Sequence, residues 1–215
     1  MILTDREIKI YIQRELITVD PEPEDIAYQS TAVDLRLDPI ISVFTKPPTV
    51  GGVQQITRID LAHPDFKTEE AIRALSNNEE IDPAQGYPLE PGILILGWTK
   101  EFVDLKQSRL AARVEGKSSL ARLGLSIHLT APTIHAGFGA SEDPRHLDSS
   151  IRLEIWNIGP FRIKLEKGMP ICQLIFEWVD GTPEKGYAGQ FSIQGPAVST
   201  PSPAPAAPGA RKRRR

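Results

Sequence analysis

The stretch GKSSLARLG, which covers Gly116–Gly124, carries the strongest structural signal in this chain of 215 residues. Its two serines predict the start of a short helical turn, where unpaired backbone N–H groups and the helix dipole favour an anion. Gly124 can end that turn in a left-handed conformation. Ser118 and Arg122 stand four positions apart and therefore share one face. The pattern indicates a site for an oxygen-rich anion, although an ordinary capped turn with a surface arginine fits the same residues.

A second signal is an acidic residue inside the strand-like segment IRLEIWN, residues 151–157. Aliphatic residues alternate there with Arg152, Glu154 and Trp156, so these three side chains point to the opposite face of a strand. A carboxylate in mid-strand between bulky apolar neighbours is costly unless it is exposed, paired or used. Glu154 is therefore a candidate general base, and a solvent-facing acid paired with a cation is the alternative.

Helix and strand signals elsewhere favour a mainly β protein, a barrel or sandwich with a few peripheral helices. Thr4 and Glu7 form a capping box that predicts a helix running through Leu16, and a second helix is expected at Thr68–Leu75. Gly and Pro separate the remaining apolar segments at short intervals. The strands predicted from those segments are Val33–Leu37, Ile40–Phe44, Ile93–Trp98, Leu125–Leu129, Ile151–Trp156, Phe161–Leu165 and Ile171–Trp178.

Composition is typical of a soluble globular protein. The apolar fraction is 40%, the formal net charge is −3, and no apolar run reaches membrane-spanning length. The N-terminus lacks a signal segment, and the single cysteine cannot form an internal disulfide, so we expect a cytoplasmic protein without a membrane partner. Cys172 lies in an apolar run and is interpreted as a buried small residue.

The last part of the chain, residues 196–215, differs in kind. It contains five prolines, many alanines and serines, and a terminal RKRRR. Such a composition predicts disorder, so we divide the chain into one domain at residues 1–195 and a disordered basic tail at residues 196–215. The cationic end is a candidate contact for nucleic acid or another acidic surface, and a solubilising extension fits equally well.

The order and spacing of several motifs resemble one family. The segments VEGKSSLARLGLSIHLTA, IHAGF and IRLEIWNIGPFRIKLEKGMPICQLIFE closely resemble the dCTP deaminases of the trimeric dUTPase-like superfamily. The likeness extends upstream through MILTDREI, STAVDLRL and YPLEPGILILGWTKEFVDL, and downstream to GYAGQ. It implies a dUTPase-like distorted β-barrel or jelly roll, a homotrimer with active sites between subunits, and hydrolytic deamination of dCTP to dUTP.

The resemblance also implies roles for individual residues. Glu154 would be the general base for a water that attacks C4 of cytosine, Ser118 would hold that water and the leaving amino group, and Arg122 would support the site electrostatically. Tyr187 and Gln190 would belong to a C-terminal lid over the triphosphate. The full set of substrate-binding residues that the resemblance implies is Lys117, Ser118, Ser119, Arg122, Thr130, Ala131, His135, Tyr187 and Gln190.

Metal chemistry is constrained by the same sequence. Zinc-dependent deaminases hold the metal with a Cys-x-x-Cys pair, which a chain with one cysteine lacks. His128, His135 and His146 have no recognisable metal-ligand spacing, so solvated or hydrogen-bonded histidines are the preferred interpretation. We therefore expect no zinc, no protein-held metal, and Mg²⁺ only as the counter-ion of the nucleotide triphosphate.

Departures from the family pattern keep alternatives open. His135 stands where the family usually has an aspartate, which argues against hydrolysis to dUMP and leaves sugar discrimination undetermined. The polar segment FGASEDPRHLDSS at residues 138–150 is longer than the corresponding connection, and it is either a surface insertion or a part of the pocket. A bifunctional enzyme that forms dUMP, a plain dUTPase and a non-catalytic nucleotide-binding homologue are the alternatives. The presence of Glu154 speaks against the last of these.

Overall fold

The structure, a computed structural model, describes residues 1–105, 109–128, 130–139 and 149–181. The expected lid residues Tyr187 and Gln190, His146 and the basic tail lie outside these described residues. The division of the chain at residue 195 therefore stays a prediction.

Antiparallel strands are the predominant secondary structure of the described residues, which confirms the predicted mainly β class. The helices are α1 at Asp5–Gln13, α2 at Thr68–Leu75 and α3 at Ser118–Ala121, with a 3₁₀ turn at Asp25–Ala27. The strands are β1 Thr18–Asp20, β2 Tyr28–Gln29, β3 Ala32–Phe44, β4 Thr49–Val50, β5 Val53–Gln54, β6 Ser76–Glu80, β7 Tyr87–Leu89, β8 Leu94–Asp104, β9 Leu110–Gly116, β10 Leu125–Ile127, β11 Thr133–Ile134, β12 Ser150–Asn157, β13 Ile163–Leu165 and β14 Pro170–Trp178.

Ten of these strands form one large sheet in the order β10-β12-β8-β3-β14-β9-β11, with β1 added on β8 and both β2 and β6 added on β3. Two separate pairs, β7 with β13 and β4 with β5, account for the others. The sheet curls into a half-barrel around a core of aliphatic side chains. Strand β12 lies between β10 and β8 and pairs antiparallel with both. Its middle residues are therefore held in register from two sides.

The alternation predicted for β12 is confirmed. Ile151, Leu153 and Ile155 are no more than 1% exposed and face the core. Glu154 and Trp156 are exposed on the other face, and Arg152 there is partly buried. Hydrophobic burial of one face thus fixes which side of the sheet presents the carboxylate of Glu154.

Helix α1 begins with the predicted Thr4–Glu7 capping box, and α2 has the predicted bounds. The first helix ends at Gln13, however, so the expectation that it includes Leu16 is wrong. Glu15 adopts a left-handed φ of 55°, and Leu16 is left 43% exposed beyond the helix. The chain turns there instead of completing another helical turn.

The segments predicted as two strands, 33–37 and 40–44, form the single strand β3. Pro39 lies at the point where its register with β8 shifts, between Leu37 and Ile41. Because proline lacks an N–H, a register shift is where a strand tolerates it. Five strands of the sheet, β1, β2, β6, β9 and β11, were not predicted. The first two and β11 have only two or three residues, and SNNEE of β6 and LAARVEG of β9 carry few strand-forming residues.

A buried ion pair joins two central strands. The side chain of Glu101 on β8 is 2% exposed and accepts two bonds from Arg36 on β3, one from the backbone N–H at 2.7 Å and one from Nε at 2.5 Å. Cys172 on β14 is fully buried, as expected, and burial raises the pKa of its thiol.

Candidate active site

A cavity of about 300 Å³ opens beside Glu154 on the outer face of the sheet. Strand β12 supplies Glu154 and Arg152, and the neighbouring strand β8 supplies Leu96, which stands opposite Glu154 in the register. The opposite wall consists of Thr68 and Ile72 of α2. The cavity is mainly apolar, and a few polar groups converge on it, which is the ordinary character of a small-molecule site.

The segment from the end of β10 to the chain after β11 forms the rest of the cavity. It contributes His128, Ala131, Thr133, His135 and Phe138. Two predicted substrate-binding residues, Ala131 and His135, therefore lie beside the predicted base. Thr130 is exposed next to Ala131 but does not line the cavity.

Glu154 is about half exposed, and its Oε2 lies 2.6 Å from Nδ1 of His128. Partial burial alone would raise the pKa of Glu154, but the contact with His128 and the charge of Arg152 lower it, and the net position is below the usual range of a glutamic acid. The side chain is therefore a carboxylate at neutral pH. An ionised carboxylate with one oxygen paired and access to a cavity is able to take a proton from a bound water.

His128 is a residue of this site that the sequence interpretation missed. Its side chain is only 6% exposed and lies against the Glu154 carboxylate, so of the two expected kinds of histidine, solvated or hydrogen-bonded, it is not the solvated one. Its backbone N–H donates to the carbonyl of Glu154 at 3.2 Å, and its φ is 50°, in the left-handed region. The alternation of Leu125 and Ile127 toward the core would have placed His128 on the same face as Glu154, and this was the available signal.

The serine-containing turn has the predicted local structure. Helix α3 starts at Ser118, with Lys117 as its N-cap residue, and its last turn is closed by Gly124 at a φ of 94°. Its first two residues are Ser118 and Ser119, so the hydroxyls belong to the first turn and not to the cap. Both serines and Arg122 are exposed. The turn thus presents two hydroxyls and a guanidinium to solvent.

Lys117 occupies a different environment from its neighbours. Its ammonium contacts the carboxylate of Asp34, which also accepts a bond from Nε2 of Gln173 at 3.1 Å. Only 20% of the Lys117 side chain is exposed. The structure therefore places this predicted substrate-binding cation in a polar network between β3 and β14.

Within one chain, the turn and the Glu154 cavity are separate. None of Lys117, Ser118, Ser119 and Arg122 is among the described residues that line the cavity. The turn instead packs at the far end of β12, where Ile158 donates its N–H to the carbonyl of Gly124 at 2.8 Å. Ile158 lies four positions after Glu154, which corresponds to about 13 Å along a strand.

The described residues form neither a metal-binding cluster nor a membrane-spanning helix. In those ranges no group of three or more His, Cys, Asp or Glu side chains is arranged to hold a metal ion. None of the described helices is both long enough and apolar enough to cross a bilayer.

Comparisons with known proteins identify the family of this chain. The family model for dCTP deaminase-like proteins matches residues 2–179. A dCTP deaminase of Rhodospirillum rubrum is 36% identical over 188 residues, which cover 87% of this chain and 88% of that protein. A protein of Methanobrevibacter smithii named "dCTP deaminase, dUMP-forming" is 32% identical over 186 residues, covering 86% and 84% of the two chains.

A solved structure supports the fold. The 2′-deoxycytidine 5′-triphosphate deaminase of Agrobacterium tumefaciens aligns with a TM-score of 0.58 at 18% identity, over 82% of this chain and 48% of that chain. The present chain thus spans about half the length of that protein. The sequence match over residues 2–179 and the similarity to the curated relatives together show that the chain belongs to the dCTP deaminase-like family.

Proposed function

We propose that this protein hydrolyses the exocyclic amino group of dCTP to give dUTP and ammonia, with Glu154 as the general base. The observation that carries the proposal is the position of the Glu154 carboxylate, which lines a mainly apolar cavity and lies 2.6 Å from Nδ1 of His128. Relatives named dCTP deaminase cover most of the chain, and the mid-strand acid is what such a reaction needs.

The proposed chemistry follows from the geometry around Glu154. The carboxylate takes a proton from a water that attacks C4 of the cytosine ring, and it then delivers that proton toward the ring nitrogen or the leaving amine. General acid–base help of this kind contributes about 10²- to 10⁴-fold. Positioning of the water and the ring in the cavity supplies much of the remaining acceleration. His128 would keep the carboxylate oriented and ionised.

We further propose that the complete site forms between subunits of a homotrimer. Ser118, Ser119 and Arg122 of one subunit would meet the Glu154 cavity of another, because one chain keeps these groups apart. Large apolar side chains are exposed near the turn and the end of β12, namely Leu94, Leu123, Trp156, Ile158 and Phe161. An exposed apolar cluster of this kind is typical of a protein interface.

The triphosphate and its Mg²⁺ would lie outside the cavity, at the serine turn. Mg²⁺ prefers phosphate and water oxygens, so it would accompany the nucleotide without a dedicated protein cage. The hydroxyls of Ser118 and Ser119 and the guanidinium of Arg122 are suitable partners for phosphate oxygens. The lid role of Tyr187 and Gln190 and the cytoplasmic location stay predictions from the sequence.

The first test is product analysis after incubation of the purified protein with dCTP and Mg²⁺. We expect dUTP to accumulate with the wild type. We expect the same with the control Glu166→Gln, because the exposed carboxylate of Glu166 pairs with Lys164 and does not line the Glu154 cavity. Glu154→Gln should still bind dCTP but form no product. Turnover by Glu154→Gln would refute its role as the base, and binding without turnover by the wild type would favour the non-catalytic homologue.

The same experiment distinguishes the second candidate function, a bifunctional enzyme that forms dUMP, from deamination alone. A relative named as dUMP-forming makes a bifunctional enzyme the specific alternative, and accumulation of dUMP in place of dUTP would establish it. His135 lies in the cavity where the family usually has an aspartate. If dUMP appears, His135 is compatible with that second hydrolysis.

The trimer proposal has its own test. Glu154→Gln and Ser118→Ala are each expected to be inactive as pure proteins. When they are unfolded, mixed in equal amounts and refolded together, sites that combine Glu154 of one subunit with Ser118 of another would regain activity. Random assembly gives about one quarter of the wild-type sites. Recovery of no activity would place both residues in a site within one chain.

A further inference from the structure

Helix α2 forms one wall of the Glu154 cavity, but its packing is unusually weak for a structural wall. Thr68 and Ile72 line the cavity, and none of the eight helix residues, all of which the structure describes, is buried. A second cavity of about 290 Å³ lies on the other side of Ile72. Hydrophobic burial alone therefore does not fix the position of this helix.

The two ends of α2 are held in different ways. At the C-terminal end, the carbonyl of Leu75 accepts bonds from the backbone N–H of Thr45 at 2.8 Å and from its hydroxyl at 2.9 Å. Near the N-terminal end, next to Thr68, Nη1 of Arg152 donates to both carboxylate oxygens of Glu69, at 2.9 and 3.0 Å. This ion pair ties the cavity-lining part of the helix to β12.

Arg152 itself is held in a defined place. Only 16% of its side chain is exposed, and its guanidinium lies 5.3 Å from the ring centre of Trp98, the residue opposite it on β8. Arg152 stands two residues from Glu154 on the same face of the strand. The contact with Glu69 thus connects α2 to the strand that carries the base.

We infer that the Glu69–Arg152 ion pair positions α2 as a wall of the Glu154 cavity, which makes Arg152 and Glu69 positioning residues for the proposed deamination. The inference rests on the proposed function, since it assigns the pair a role in that reaction. A cytosine ring in the cavity would contact Ile72 and Thr68, so a helix that moves away leaves the ring and the attacking water poorly aligned. A misplacement of about 1 Å can cost about 10²-fold in rate.

Arg152 has a second effect on the site, through charge. The titratable and charged groups that line the cavity with Glu154 are His128 after β10, His135 after β11 and Arg152 on β12, while α2 brings Glu69 to the guanidinium of Arg152. Removal of Arg152 takes away a cation that favours the ionised form of Glu154. The pKa of Glu154 should therefore be higher in Arg152→Met than in the wild type.

The test compares neighbouring glutamates of α2. Glu69→Gln breaks the ion pair, whereas Glu70→Gln removes a carboxylate that pairs only at the surface with Lys67. We expect kcat/KM for dCTP to fall by about ten- to a hundredfold in Glu69→Gln and Arg152→Met, and to change less than about twofold in Glu70→Gln. Equal losses in Glu69→Gln and Glu70→Gln would overturn the inference.

Two measurements need no turnover and keep this test distinct from that of the proposed function. Amide hydrogen exchange in residues 68–72 should be faster in Glu69→Gln than in Glu70→Gln, and the double variant Glu69→Arg/Arg152→Glu should restore protection. The pKa of Glu154, followed by carboxyl ¹³C resonances, should rise in Arg152→Met. Unchanged exchange and an unchanged pKa overturn the inference even in an active enzyme, whereas inactivity of the wild type alone would count against only the proposed function.

Discussion

Replacement of Gly124 by alanine tests the packing that holds the serine turn in place. Gly124 has a φ of 94°, and a Cβ built on it would lie 2.3 Å from both Cα and N of Gly159. These are backbone atoms, so no side-chain rotation relieves the contact. We expect Gly124→Ala to destabilise the protein and to displace the turn from the end of β12.

The expected loss in the free energy of unfolding of Gly124→Ala has two parts. Alanine in the left-handed region costs about 1–2 kcal/mol relative to glycine. The two backbone segments must also separate by about 1 Å to reach an ordinary contact, and such overpacking costs about 1–3 kcal/mol. The free energy of unfolding should therefore fall by about 2–5 kcal/mol, which at a urea dependence of about 2 kcal/mol per molar lowers the midpoint by about 1–2.5 M.

The assay is equilibrium unfolding in urea, followed by tryptophan fluorescence at a fixed protein concentration, since association would add to stability. Gly168→Ala is the matched control, because Gly168 has a φ of 76° but no heavy atom within 4 Å of the built Cβ. The control should lose only the conformational part, about 1–2 kcal/mol. Equal losses in the two variants would refute the argument that contact with Gly159 fixes the turn.

Three other perturbations follow from the described contacts. His128→Ala should raise the pKa of Glu154, because the partial burial of the carboxylate remains after its main pKa-lowering partner is lost. The acid limb of the pH–rate profile should therefore move to higher pH. An unmoved limb would contradict the pairing of His128 with Glu154. Glu101→Gln should cost about 1–3 kcal/mol in urea unfolding because it removes the buried charge that accepts two bonds from the partly buried Arg36, whereas the exposed Glu166→Gln should cost less than about 1 kcal/mol. Cys172 should resist a thiol reagent in the folded protein and react only after denaturation, because it is fully buried.

The local sequence pattern was enough to predict the strand and the turn that hold the proposed site residues. Alternation in residues 151–157 placed Glu154 on the outer face of a strand, and the glycine at position 124 predicted the left-handed end of α3. Both depend on residues close together in the chain, for which periodicity and backbone preference are strong signals. The capping box of α1 and the bounds of α2 belong to the same class.

Contacts between distant segments were beyond that reasoning. Lys117 meets Asp34, and Arg152 meets Glu69, in each case across 83 positions of sequence. The sequence predicted the helix α2 but not the cavity that this helix lines. His128 was missed because its left-handed backbone and buried ring depend on the pairing of β10 with β12, which only the assembled sheet provides.

Strand β12 explains why the serine turn and the Glu154 cavity of one chain lie apart. Pairing with β10 and β8 fixes Glu154 at its middle, and the contact between Gly124 and Gly159 fixes the serine turn beyond its end. Because backbone contacts of the same strand set both positions, the serine turn and the Glu154 carboxylate lie at different points along β12. In the proposed trimer, a nucleotide that uses both groups would need a second subunit, and each subunit would then offer its Glu154 carboxylate to one neighbour and its serine turn to the other.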